Sequence, residues 1–212
     1  MNEELNPESK TDYPERCIRA NYTDETIRVY QAYSNAIADA ALEKGTFVSP
    51  PFKMDRMTWI KPSFCWMMYR AGWGEKDDGQ KRILAIDIRR DGFEWALAHS
   101  SLSSWKAYSG LSEEMWKTRK AESPVRIQWD PERDMHLNRL DYRSIQIGLS
   151  GVAVHKYVRE WIVRIEEVTT LARRIHVLLE ECQKVDAREL LPLEEVYPLE
   201  ESLKRRIALS EP

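Results

Sequence analysis

The stretch from Arg56 to Gly74, RMTWIKPSFCWMMYRAGWG, constrains the fold more than any other, because it gathers Trp59, Trp66 and Trp73 around a single Lys-Pro break. Arg56 to Ile60 has the composition of a short strand. Lys61 and Pro62 interrupt it, and Ser63 is a natural cap for a helix carrying Phe64, Met67, Met68 and Arg70. A strand that delivers Lys61 and Ser63 to a helix start suits an anion or nucleotide, since unpaired N–H groups there face outward. An aromatic core segment with a capping serine has the same pattern, because Met and aromatic residues at helical spacing usually pack. The local sequence leaves both readings open.

The rest of the chain sets limits on class. At 212 residues, with 42% hydrophobic and 32% charged residues, it suits one folded domain with a heavily charged surface. A net charge of -3 gives no global drive toward nucleic acid or acidic membranes, so any basic site is local. Cys17, Cys65 and Cys182 lie far apart, which argues for neither a zinc site nor a disulfide framework and points to a reducing compartment. The first residues, MNEELNPESKTDYPER, have no apolar core, and no apolar run approaches the roughly 20 residues that span a bilayer. A cytoplasmic or otherwise intracellular protein with no membrane partner is expected. The four histidines are scattered, so no Ser-His-Asp arrangement and no metal site is expected, and the phosphate-loop and dinucleotide motifs are absent.

Taken in order, residues 1–15 read as a disordered leader, 16–185 as one globular domain and 186–212 as an acidic tail with a weak helical piece near Leu203 to Ile207. Cys17 to Tyr22 alternates as a strand. Thr23 or Asp24 then caps a predicted helix through Ile27, Tyr30, Tyr33, Ile37, Ala40 and Ala41, stopped by Gly45. Lys81 and Arg82 lead into a stretch, Ile83 to Ile88, that reads as a buried strand, and Asp91 reads as the cap of a short helix. Residues 100–122 read as short helices and loops. Val125 to Trp129 and Arg143 to Leu149 are alternating strands, with Asp130 and Pro131 as a turn between them. From Val152 to Cys182 the apolar spacing predicts one long C-terminal helix that supports the core.

The polar residues left over at strand ends are Arg19, Lys61, Ser63, Arg143, Ser144 and Gln146. Arginine and lysine suit a phosphate, serine and glutamine a sugar or amide, and tryptophan a base or nicotinamide ring. An exposed salt bridge accounts equally for Arg19 or Lys61, and a strand-face polar position for Gln146.

The phrases IRANYTDETIRVYQAY, RMTWIKPSFCWMMYRAGWG, FEWAL, PVRIQWDPERD and YRSIQIGLSG resemble a family catalogued only as a domain of unknown function, DUF4291, over roughly residues 16–182. That family brings no activity with it. More distantly, the order of elements resembles the ADP-ribosyltransferase fold: Arg19 on a first strand, a helix ending at Gly45, Thr46 and Phe47, Ser63 before a helix, and Gln146 on a late strand where that fold commonly has glutamate. The resemblance implies an α+β single domain of small mixed or antiparallel sheets with flanking helices, and NAD as cofactor. In it Arg19 holds the pyrophosphate, Ser63 the nicotinamide-side ribose and Gln146 the reacting ribose, with Trp59 or Trp66 stacking and Lys61 and Arg143 as further cofactor contacts. The acceptor of ADP-ribose is open, a nucleic acid among the possibilities. The competing reading is a non-catalytic module that binds RNA or a nucleotide through the same groups.

Overall fold

The eight-residue strand RILAIDIR is buried on both faces, and the molecule is arranged about it. In the computed structural model, which describes residues 13–105 and 112–209, the elements run as follows. They begin with β1 (Arg19–Ala20), β2 (Thr26–Tyr33), α1 (Asn35–Lys44), β3 (Thr58–Ile60), α2 (Phe64–Ala71), β4 (Arg82–Arg89) and α3 (Arg90–Ala98). They continue with β5 (Ser100–Leu102), α4 (Glu113–Glu122), β6 (Val125–Arg133), β7 (Arg139–Leu149) and α5 (Val152–Lys156). After a π-helical turn, Tyr157–Trp161, come β8 (Ile162–Glu167), α6 (Thr169–Glu180), α7 (Lys184–Glu189), β9 (Glu195–Val196) and α8 (Glu201–Ile207).

Three small sheets result, in the orders β1-β9, β2-β4-β8 and β3-β7-β6-β5. All pairings are antiparallel except β5 with β6. β4 is covered by packed elements on both sides of its sheet, so both of its faces are apolar. Leu84, Ile86 and Ile88 face the larger hydrophobic cluster, with Ile27 and Val29 of β2, Ala38 and Ala41 of α1, Phe93 of α3 and the inner face of β6 and β7. Ile83 and Ala85 face a second cluster, with Tyr30 of β2, Phe64, Met67 and Met68 of α2 and Ala172, Ile175 and Leu178 of α6. The α+β class with several small sheets and flanking helices therefore holds.

Four expectations are corrected. The predicted helix over 26–33 is the strand β2, because these residues find an eight-pair ladder with β4, from Thr26 opposite Arg89 to Tyr33 opposite Arg82. Only its second half is helical, as α1, which ends at Gly45 in the left-handed region, φ 69°. The long C-terminal helix is likewise divided. Ile162 to Glu167 is rich in β-branched residues and completes the open edge of β4, with Ile165 opposite Ile86. Asp130 and Pro131 do not turn the chain; they lie inside β6, whose register shifts between Pro131 and Arg133. Asp91 sits in the first turn of α3, and Arg89 occupies the cap position.

The residues after 186, read as an acidic tail, are tied to the fold. β9 pairs with β1, Tyr197 N–H donates to the Ile18 carbonyl at 2.8 Å, and Tyr197 and Ile207 are buried. Most of the expected leader, and Tyr108 and Leu111 of the central segment, lie outside the described residues.

Candidate functional site

Lys61 follows β3 directly, and its backbone is held by the Tyr30 N–H, which donates to the Lys61 carbonyl at 2.7 Å. Pro62 ends the extended run and Ser63 caps α2, its Oγ accepting the Trp66 N–H at 3.1 Å. These local constraints aim Lys61 at a polar cavity of about 730 Å³, between the ends of β2 and β3, the face of β6 and β7, and α2. Trp59, Arg56, Arg70, Asp77 and Gln80 contribute to its walls, and Gln31, Gln128 and Gln146 to its polar lining.

Two hydrogen-bonded networks hold this lining. Gln31 donates to Thr58 Oγ1 at 2.7 Å and the Trp59 carbonyl at 3.0 Å, and its Oε1 accepts from the buried Tyr157 hydroxyl at 2.8 Å. Tyr33 joins them, its hydroxyl pushed up to about 12 by burial, against the bonds from Thr58 and Gln31. On the sheet, Gln128 and Gln146 are cross-strand partners, and both donate to the Asp130 carboxylate, at 2.8 Å and 2.6 Å. Trp59 stands opposite Gly148, and its ring lies where a side chain at 148 would begin, 2.9 Å from a Cβ built there.

Lys61 is 7% exposed and its Nζ donates to the Trp59 carbonyl at 3.0 Å. Burial first, and then the Arg70 charge, lower its pKa to about 7, with Asp130 opposing the fall. The Trp66 ring lies 5.8 Å from Nζ, and Trp66 itself is 5% exposed, so its faces are occupied by the protein.

Beneath α2 lies a second, enclosed cluster. Ser63 Oγ donates to Glu132 Oε1 at 2.9 Å, and the Arg133 N–H donates to the same oxygen at 2.8 Å. Glu194 accepts the Phe64 N–H at 2.7 Å. Its residue is partly exposed but its carboxyl group points inward, and burial with the nearby Glu132 charge raises it to about 8. Burial also raises Glu132, against its donors Arg133, Ser63 and Ser144. Arg19 crosses this cluster, donating to the Glu194 carbonyl at 2.8 Å and the Tyr142 hydroxyl at 3.2 Å.

The residues expected to form one site are thus distributed over three places. Trp59, Lys61 and Gln146 share the large cavity. Arg19 and Ser63 belong to the enclosed cluster. Arg143 lines a separate cavity of about 260 Å³, where it donates to the Trp129 carbonyl at 3.1 Å and pairs with Glu15 at 3.5 Å. Sequence reasoning missed Arg56, Gln31, Gln128 and Asp130 in the cavity, and Glu132 and Glu194 beneath it. The one available signal was the period-two spacing of Gln128 and Asp130, obscured by reading Asp130 as a turn residue.

Among the described residues, no group of three or more His, Cys, Asp or Glu is placed to hold a metal ion, and no helix is long and apolar enough to cross a membrane. No curated protein matches the chain. Residues 17–197, from the edge strand that carries Arg19 to the buried Tyr197, match the model of the family described as Domain of unknown function (DUF4291), and the chain belongs to that family.

Proposed function

We propose that the protein binds a phosphorylated, nucleotide-type ligand in the cavity bounded by Trp59, Arg56 and Arg70. The observation that carries this reading is the grouping of two guanidinium groups, a tryptophan ring and several carboxamides around one cavity of about 730 Å³, a volume suited to a small ligand. Guanidinium groups favour phosphate oxygens, an aromatic wall favours a planar ring, and carboxamides serve ring edges and hydroxyls. NAD is the first ligand to test, and transfer of ADP-ribose the finer reading. In that version the pyrophosphate role passes from Arg19 to Arg56 and Arg70. Gln146, backed by the Asp130 carboxylate at 2.6 Å, faces the reacting ribose.

Isothermal titration with NAD, ADP-ribose and AMP tests the binding. Saturable heat that weakens at least tenfold in Arg70→Ala, about 1.4 kcal/mol, supports the site. Arg19→Ala is expected to lower stability and leave the affinity of the folded protein within a few-fold. No heat with any of the three ligands sinks the proposal, and steeply salt-dependent binding to single-stranded RNA in its place favours the non-catalytic module. Nicotinamide release from NAD, lost in Gln146→Ala while binding persists, supports transfer; binding without release restricts the function to recognition.

A further inference from the structure

Lysine is a strongly hydrated cation when exposed, and a buried one ordinarily has a carboxylate beside it. Lys61 is buried at the wall of an open cavity, with a backbone carbonyl as its hydrogen-bond acceptor and the Trp66 ring nearby. It forms no ion pair with a described residue. The hydrogen bonds from Gln128 and Gln146 engage both oxygens of the Asp130 carboxylate. Lys61 is one of the residues that line the cavity, so its amine sits at the wall of the ligand space with no carboxylate of a described residue bound to it.

We infer that Lys61 is a nucleophilic amine that forms an imine with an aldehyde or ketone carried by an anionic ligand of this cavity. The inference rests on the proposed anion-binding role of the cavity. The nitrogen lone pair adds to the carbonyl carbon as the C=O π electrons move to oxygen. A proton passes from nitrogen to oxygen, water leaves, and a C=N bond remains, with no net oxidation or reduction. Arg56 and Arg70 hold the anionic end of the ligand. The charged groups around the amine are Arg70 on α2, Asp130 on β6, Arg56 and Lys53 on the loop before β3, and Asp77 on the turn after α2. Burial and Arg70 outweigh Asp130, so much of the amine is neutral near pH 7.

Pyridoxal 5′-phosphate, an anionic aldehyde, is the probe. Sodium borohydride then delivers hydride to the imine carbon and fixes the adduct as a secondary amine. Peptide mass spectrometry of the wild-type chain at pH 7 should find Lys61 trapped at least tenfold faster than the exposed Lys44 and Lys81, with a rate rising through a midpoint near 7 and with protection by AMP. Lys61→Arg should lose this adduct and keep the others. Labelling of Lys61 no faster than Lys44 would overturn the inference. A separate AMP titration distinguishes the two failures: heat without a Lys61 adduct removes the imine alone, whereas neither heat nor adduct removes the binding site as well.

Discussion

The Phe64 N–H donates to the Glu194 carboxyl group at 2.7 Å, so a residue 130 positions further along the chain closes the first turn of α2. Ser63 satisfies the Trp66 N–H of the same turn from within the local sequence. Together the two oxygens occupy N–H groups that a helix start leaves unpaired. The support beneath Lys61 thus comes partly from the C-terminal segment.

The raised carboxyl of Glu194 sets a direction for stability against pH. Its folded value of about 8 exceeds the usual 4.5, so between those values the folded state holds a proton that the unfolded state has released. Stability consequently falls as pH rises through this window, by up to about 1.4 kcal/mol per pH unit for one proton. Glu132 acts in the same direction. Urea unfolding of Glu194→Gln at pH 5, 6.5 and 8 should show a shallower decline than wild type; an identical slope would remove Glu194 from the account.

Lys61 has the opposite sign in a higher window. Its folded value of about 7 lies below the usual 10.5, so from neutral to alkaline pH the unfolded state carries the extra proton and the Lys61 contribution to stability rises with pH. Lys61→Met removes that titration. The stability of this variant relative to wild type should therefore be greatest near pH 6 and diminish toward pH 10, and a difference that stays constant across that range would contradict the burial argument.

Ser63→Ala removes a helix cap and one donor to a buried carboxylate in a single change. Cap loss costs about 1 kcal/mol and the weakened Glu132 interaction adds to it, so a total of about 1–3 kcal/mol is expected. Denaturant unfolding measures this directly. A loss below about 0.5 kcal/mol would mean that neither bond contributes as its geometry implies.

Gly148→Ala probes the wall of the cavity from behind. The added Cβ would stand 2.9 Å from Met57 Sδ and 2.9 Å from the Trp59 ring, so both side chains must move. A stability loss of about 1–3 kcal/mol and weaker nucleotide binding are expected. Thermal unfolding and titration of the same preparation separate the two effects, and unchanged affinity would show that Trp59 does not contact the ligand.

The segments legible in the sequence were those whose pattern had a single solution. The buried strand around Ile83 to Ile88, the alternation of Val125, Ile127 and Trp129, the Ser63 cap and the Gly45 stop all appear at or near their expected positions. Residues 26–33 were not legible in this way, because Ile27, Tyr30 and Tyr33 satisfy helical spacing while Ile27 and Val29 satisfy a strand. The ladder with β4 decided between them. Ile162 and Ile165 posed the same ambiguity, and the open edge of β4 again favoured the strand. At the site, Trp59, Lys61 and Ser63 were visible because they are neighbours in sequence. Gln31 meets Tyr157 across 126 positions and Ser63 meets Glu132 across 69, and no local periodicity encodes such meetings.

The ladder between β1 and β9 sets Arg19 opposite Val196, and Arg16 reaches the Ala208 carbonyl at 2.9 Å. Mechanically, the described chain is a loop fastened by a small clasp. Tension drawn on residue 209 reaches the buried Ile207, packed in the larger hydrophobic cluster and held by the Trp129 ring N–H, before it reaches the β1-β9 ladder, so α8 acts as a latch that shields the clasp from the C-terminal side.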